Sequence, residues 1–305
     1  MAGGRSRSAA TVLVTDMDNT LFDWLEMWQA AFGAMLDRLV GASGVARETL
    51  EEEFYAIHQR HGTTEYAFAI QELPSLRARH PPEELPARYA AAIEAYREMR
   101  RRTLRLYPGV LETLRAVRAA GTRIIAYTES RAYYAAYRVR TLGLDGVLDQ
   151  LYSPPDHALP DGVTPSLIRR YPPEHYQLRQ TVHRHTREGV WKPAPAVLQD
   201  ILDDVGAEPA EAAYVGDSLI KDVAMAQGAG VLDVFARYGD VRDRPGYALL
   251  RRVTHWSPSV LAGAERLTEA LVLPTHALGA SFAELLDVVE FHRFVPRRPP
   301  ASPAA

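Results

Sequence analysis

The residues able to do chemistry stand where short apolar runs stop. Val12, Leu13 and Val14 lead into Asp16-Met17-Asp18-Asn19-Thr20. Ile124, Ile125, Ala126 and Tyr127 lead into Thr128, and Ala212, Ala213, Tyr214 and Val215 lead into Gly216-Asp217-Ser218. Runs of this kind, ended abruptly by polar residues, read as buried strands. In an open sheet of parallel strands, ligands collect beyond the carboxyl ends, so Asp16, Thr128 and Asp217 are expected to face one crevice. Asp16 and Asp18 are two residues apart, a spacing that puts both side chains on one side of an extended segment. With Lys192 between the second and third strings, the set has the parts needed to hold a metal ion and a phosphoryl group: carboxylates, a hydroxyl and a cation.

The cation carries a further signal. Of the 35 lysines and arginines, only Lys192 and Lys221 are lysine. A chain that uses arginine wherever a generic positive charge will serve marks its lysines as places where a compact ammonium is needed instead of a planar fork. Lys192 lies in Trp191-Lys192-Pro193, just ahead of a helical pattern. Lys221 lies inside the third string, where it could pair with an acid or face water, and receives no role from sequence alone.

This ordered set resembles the haloacid dehalogenase (HAD) superfamily, most of whose members are magnesium-dependent phosphohydrolases. The resemblance implies that Asp16 is a nucleophile that forms an aspartyl-phosphate, helped by a metal that suppresses repulsion between two anions. It assigns Asp18 as the acid that protonates the leaving oxygen and then the base that activates water. Thr128 would hydrogen-bond a phosphoryl oxygen, with Glu129 and Ser130 next to it at a helix start, where backbone N–H groups also favour an anion. Lys192 would neutralise charge on the phosphoryl group and on Asp16. Mg2+ would be held by Asp16, the backbone carbonyl of Asp18, and Asp217. Asp222, which fits the family's fourth motif, would sit behind the ion, holding a metal-bound water or orienting Lys192; a carboxylate near a helix start is also favoured by the helix dipole alone. Dehalogenating members lack an acid at the second position, because halide leaves without a proton, so Asp18 implies a phosphatase. The expected activity is hydrolysis of a small phosphorylated metabolite. A phosphomutase acting on a sugar phosphate and a non-catalytic regulatory protein on the same scaffold are the alternatives.

The elements that must position these residues have an α/β pattern. Strands are expected at 11–15, 122–128, 147–152, 212–215, 231–235 and 275–278. Helices are expected at 110–120, 131–142, 195–204 and 220–227, and Ser281-Phe282-Ala283-Glu284 has the form of a capping box opening a helix to about 294. Alternation of this kind implies a Rossmann-like, mostly parallel sheet with helices on both faces. Between the first two strings the period is helical, at 21–39, 48–58, 64–73 and 86–105. The expected organisation is therefore an α/β core of 1–22 and 106–305 with an inserted all-α domain of 23–105. In the HAD family an insertion there is a mobile cap that closes the crevice, excludes water and sorts substrates. Among its aromatics, Trp24, Trp28, Phe54, Tyr55 and Tyr66, the two tryptophans read first as helix–helix core.

The segment 154–190 is rich in proline, arginine and histidine and has little period, as expected of a long loop bordering the site. Arg169, Arg170, His175, His183, Arg184 and His185 could meet an anionic substrate, but a solvated face is the first reading. His183 and His185 have no cysteine or acid at ligand spacing, which argues against a metal there.

Composition narrows the rest. The chain has 305 residues, no cysteine and a formal net charge of −3. That excludes disulfides, zinc–thiolate sites and thiol catalysis, and offers nothing global to attract nucleic acid. No apolar run is long enough to cross a bilayer. The start, 1–10, has arginines without the hydrophobic stretch of a signal peptide and reads as a frayed tail; 296–305 reads as disordered. A cytoplasmic location and a small phosphorylated partner are the expectations.

Overall fold

The computed structural model describes residues 7–161, 163, 164, 169, 171–256 and 272–297. Its strands are β1 (Ser8–Ala10), β2 (Val12–Thr15), β3 (Arg123–Tyr127), β4 (Gln150–Ser153), β5 (Val182–His185), β6 (Ala212–Gly216), β7 (Leu232–Ala236), β8 (His276–Leu278) and β9 (Val289–Phe291). Its main helices are α1 (Trp24–Ser43), α2 (Arg47–His61), α3 (Ala90–Thr103), α4 (Val110–Ala119), α5 (Ala132–Thr141), α6 (Pro195–Val205), α7 (Ala224–Gly228), α8 (Pro245–Val253) and α9 (Leu285–Val288). Two compact units result: one of Met1–Phe22, Arg105–Asp240 and Leu271–Ala305, the other of Asp23–Leu104 and Val241–Ala270.

The first unit is an α/β sheet in the order β5-β4-β3-β2-β6-β7-β8, with every neighbouring pair parallel. The Rossmann-like core expected from sequence is present. Residues of β2 are buried on both faces, Val12 and Val14 on one and Leu13 on the other, as a sheet covered by helices on both sides requires. Val12, Val14, Ile125, Tyr127 and Tyr214 share one hydrophobic cluster with Val197, Leu198, Ile201 and Leu202 of α6. The chain order reverses at β2: earlier crossovers lead outward through β3, β4 and β5, later ones through β6, β7 and β8. Such a switch point opens a crevice at the carboxyl ends of the central strands.

The second unit is helical. Asp23 caps α1, its Oδ1 accepting the Glu26 N–H at 2.8 Å, and Gly44, in the left-handed conformation, closes it. Trp24, Trp28 and Phe32 of α1 stack in succession, with centroids 5.8 and 5.0 Å apart, and Phe54 of α2 meets Phe32 edge-on at 5.0 Å. Trp28 is fully buried, which bears out its reading as core. The expected helix at 64–73 is only Ala69–Glu72, and Pro74, at the first helical position, opens a second short helix to Arg77.

Four further features differ from the sequence reading. Residues 241–256 group with the helical unit, where α8 packs against α1 and α2. There His58 Nδ1 meets the Val253 carbonyl at 2.6 Å, and Arg252 Nε donates to Glu51 at 2.6 Å. An amphipathic segment of nine residues carries no mark of the unit it joins. Segment 154–190 is not all loop, since Val182–His185 is strand β5, paired with β4 from Gln150↔Val182 to Ser153↔His185. It lies at the sheet's edge and three of its four residues are exposed, so it needs no apolar alternation. The helix expected to run to 294 ends at Val288, and Glu284 receives the N–H groups of Gly279 and Ala280 instead of closing a capping box. Finally, 8–10 is no frayed tail: β1 pairs in parallel with β9, Ser8↔Val289 to Ala10↔Phe291. The rest of that expected tail, 1–6, and most of the expected disordered end, 298–305, lie outside the described residues, as does Arg170.

Candidate active site

The register of the central strands sets the site. Thr15 of β2 pairs with Ala126 of β3 and Val215 of β6. The chain therefore leaves all three strands at one level, at Asp16, Tyr127 and Gly216. The Asp16 N–H still donates to the Val215 carbonyl at 2.8 Å, and the Thr128 N–H to the Tyr152 carbonyl at 3.0 Å, so the departing residues are held in place by the ladder.

At this level Asp16, Asp217 and Asp222 each present a carboxylate oxygen within 4.8 Å of the others. Lys192 comes in from the segment before α6, and its Nζ lies 2.5 Å from Asp16 Oδ1 and 2.9 Å from Asp222 Oδ1. The ammonium also sits over the rings of Tyr127 and Tyr214, at 4.8 and 5.5 Å. Asp222 receives two further hydrogen bonds, from the Tyr214 hydroxyl at 2.9 Å and the Ser218 N–H at 3.0 Å. The backbone accommodates this closeness in two ways. A Cβ on Gly216 would lie 2.3 Å from Asp222 Cγ, so only glycine fits there. The turn Leu219–Val223 is a π-helix, with the Val223 N–H reaching the Ser218 carbonyl at 3.1 Å, a widened form frequent at functional sites.

Electrostatics derive from the crowding. Desolvation, opposed by Lys192 and reinforced by Asp222 and Asp18, pushes Asp16 up to about 7. Desolvation with the charges of Asp16 and Asp222 holds Asp217 well above the carboxylate range. Burial opposes the charge of Lys192, but Asp16 and Asp222 outweigh it and hold its pKa well above the ordinary value. Three carboxylates thus face one ammonium in a desolvated site. A cluster of hard oxygen donors with surplus negative charge fits a divalent cation of the magnesium type. Asp222 is engaged by Lys192, Tyr214 and Ser218, and Asp16 by Lys192.

The Asp18 side chain is not part of the triad. Its Oδ2 accepts from Ser130 Oγ at 2.7 Å and from Thr128 Oγ1 at 3.4 Å, and its Oδ1 lies 3.2 Å from Nη1 of buried Arg138. Both oxygens of the Glu129 carboxylate are engaged: Oε1 accepts the Lys192 N–H at 2.7 Å and Oε2 takes Lys221 Nζ at 2.6 Å. Its carboxylate is thus engaged by two lysines, leaving only its backbone for an anion. Among the described basic residues of 154–190, two have partners away from the three acids. His183 bonds to Ser153 at 2.8 Å and Arg184 pairs with Asp204 at 2.9 Å, while His175 and His185 are exposed.

Sequence reasoning missed Arg138, Tyr127 and Tyr214. A signal for Arg138 existed: it lies three residues after Ala135 and four before Leu142, on the apolar stripe of α5, where a charge needs a buried partner. The tyrosines gave none, since inside a strand an aromatic ring reads as packing.

Comparison with known proteins agrees with this geometry. Residues 10–230 match the model of the haloacid dehalogenase-like hydrolase family. The glyceraldehyde 3-phosphate phosphatase of Methanopyrus kandleri is 26% identical over 238 residues, covering 75% of this chain and 84% of its own. The 2-haloacid dehalogenase of Pseudomonas syringae pv. Tomato DC3000 has the same fold, with a TM-score of 0.53 at 18% identity, over 92% of this chain and 97% of that one. The chain belongs to the haloacid dehalogenase-like hydrolases.

Proposed function

We propose that the protein is a magnesium-dependent phosphatase that hydrolyses a small phosphorylated metabolite through an aspartyl-phosphate. The observation that carries this reading is the convergence of Asp16, Asp217 and Asp222 around Lys192 at the switch point of the sheet. The phosphatase relative supports a small phosphorylated substrate.

Asp16 attacks phosphorus, and as the bond to the leaving oxygen breaks, Asp18 gives that oxygen a proton. Water then attacks the aspartyl-phosphate, Asp18 takes its proton, and phosphate leaves with Asp16 restored. Lys192, fixed against Asp16, offsets charge that builds on the phosphoryl oxygens. Thr128 and the backbone N–H groups after it orient those oxygens. A magnesium ion held by Asp16, the Asp18 carbonyl and Asp217 would supply charge neutralisation between nucleophile and phosphate. Ser130 and Arg138, which hold both Asp18 oxygens, orient the acid. The helical unit is assigned the family's cap role of selecting substrates.

The test is phosphate release with added magnesium from a panel that includes glyceraldehyde 3-phosphate and sugar phosphates. Turnover that a chelator abolishes and magnesium restores is the expected result. Isomerised sugar without free phosphate would replace this reading with a phosphomutase. Silence across the panel would overturn it in favour of a non-catalytic scaffold.

A further inference from the structure

Lys192 leaves the chain from a segment that is neither helix nor strand; α6 begins only at Pro195. No ladder of backbone hydrogen bonds fixes its main chain, so an ammonium that must sit within ångströms of a nucleophile depends on other anchors. One anchor is Glu129 Oε1, 2.7 Å from the Lys192 N–H. The other oxygen of that carboxylate holds Lys221 Nζ at 2.6 Å. Both side chains are about three-quarters shielded, at 25% and 23% exposure. Glu129 comes directly after Thr128, and Lys221 directly precedes Asp222. The π-turn lets these two neighbours reach separate partners, Lys221 toward Glu129 and Asp222 toward Lys192. Three segments that converge on the site are thereby joined through one carboxylate. The two lysines of a chain otherwise supplied with arginine stand at its two oxygens. The choice has a physical reason: a guanidinium in place of Lys221 would carry its donors in a broad plane, whereas a compact ammonium meets one oxygen and leaves the other free for the backbone.

We propose that Lys221 and Glu129 form a positioning pair, in which Lys221 fixes the Glu129 carboxylate so that it holds the Lys192 main chain and aims the Lys192 ammonium at Asp16. This rests on the phosphatase reading, and specifically on Lys192 stabilising charge in the phosphoryl transfer. Neither side chain of the pair touches substrate; both act through Lys192. The loss should therefore fall on kcat, and it should vanish when Lys192 has nothing left to position.

The experiment is a double-mutant cycle on the full chain, with phosphate release as readout and thermal unfolding to check folding. Lys221→Met is expected to lower kcat about tenfold, in the range for a residue that orients a residue at the reacting centre, with KM changed less than about twofold. Glu129→Gln, which keeps an acceptor for the Lys192 N–H but loses the ion pair, is expected to lose less than Glu129→Leu. In a Lys192→Met background, Lys221→Met should cost nothing further, the coupling expected of residues that act as one unit. Full multiplication of the two losses, or a rise in KM with kcat unchanged, overturns the proposal. If Lys221→Met fails to fold, the Glu129 variants run through the same cycle and decide it by the same outcomes. A wild-type chain inactive on every phosphate would sink the phosphatase reading itself. An active wild type that needs Lys192 and ignores Lys221 sinks this inference alone.

Discussion

Both units have an apolar core, but the α/β unit also buries a cluster of paired charges. The α/β unit keeps Asp16, Lys192 and Asp222 at 6%, 6% and 2% exposure, a grouping that desolvation penalises and that survives only with close pairing. The helical unit fills its centre with Trp28, Phe32 and Phe54 around His58, groups that gain by leaving water. One interior holds charge at a cost because chemistry needs it there. The other contributes stability by excluding water.

The contrast is most exposed to test at the nucleophile. Asp16→Asn is expected to reduce turnover of an aryl phosphate by more than about 10³-fold while the thermal midpoint stays near that of the parent, since it removes one member of a crowded anionic group. Retained turnover, or collapse of the fold, would show that Asp16 serves structure. Trp28→Ala in the helical unit should do the reverse, destabilising by about 3–5 kcal/mol through the cavity it leaves. A shift of less than about 1 kcal/mol in denaturant unfolding would mean that the stacked aromatics are not a core.

A smaller effect separates the two interiors through pH. Burial lowers the pKa of His58 to about 4, against about 6.5 when unfolded. Between those values the unfolded chain binds more protons than the folded one, so stability is fully present above pH 6.5 and lost as pH falls toward 4. The loss should reach about 3 kcal/mol. His58→Phe should flatten that part of the stability profile. An unchanged slope in the variant would assign the acid sensitivity to other groups.

Much of the site was legible because its parts carry local marks. Asp16, Thr128 and Asp217 each end an apolar run, and parallel strands that end together must present their next residues to the same side. Lys192 stood out by scarcity. The features that escaped notice lacked such marks. β5 is an edge strand without alternation, and α8 is a short amphipathic segment compatible with either unit. The doubly engaged carboxylate of Glu129 looks in sequence like any acid after a strand.

Residue order along the chain alone determined the central strands, their ends and the acid–hydroxyl–lysine set, because hydrophobic period and abrupt polarity changes are local properties of a polymer. Only the tertiary structure decided which acids meet the ammonium, that Asp18 is gripped by Ser130 and Arg138, and that Lys221 and Glu129 stand behind Lys192. Those facts depend on distances between residues up to 176 positions apart, which the packing of the folded chain sets and no local pattern encodes.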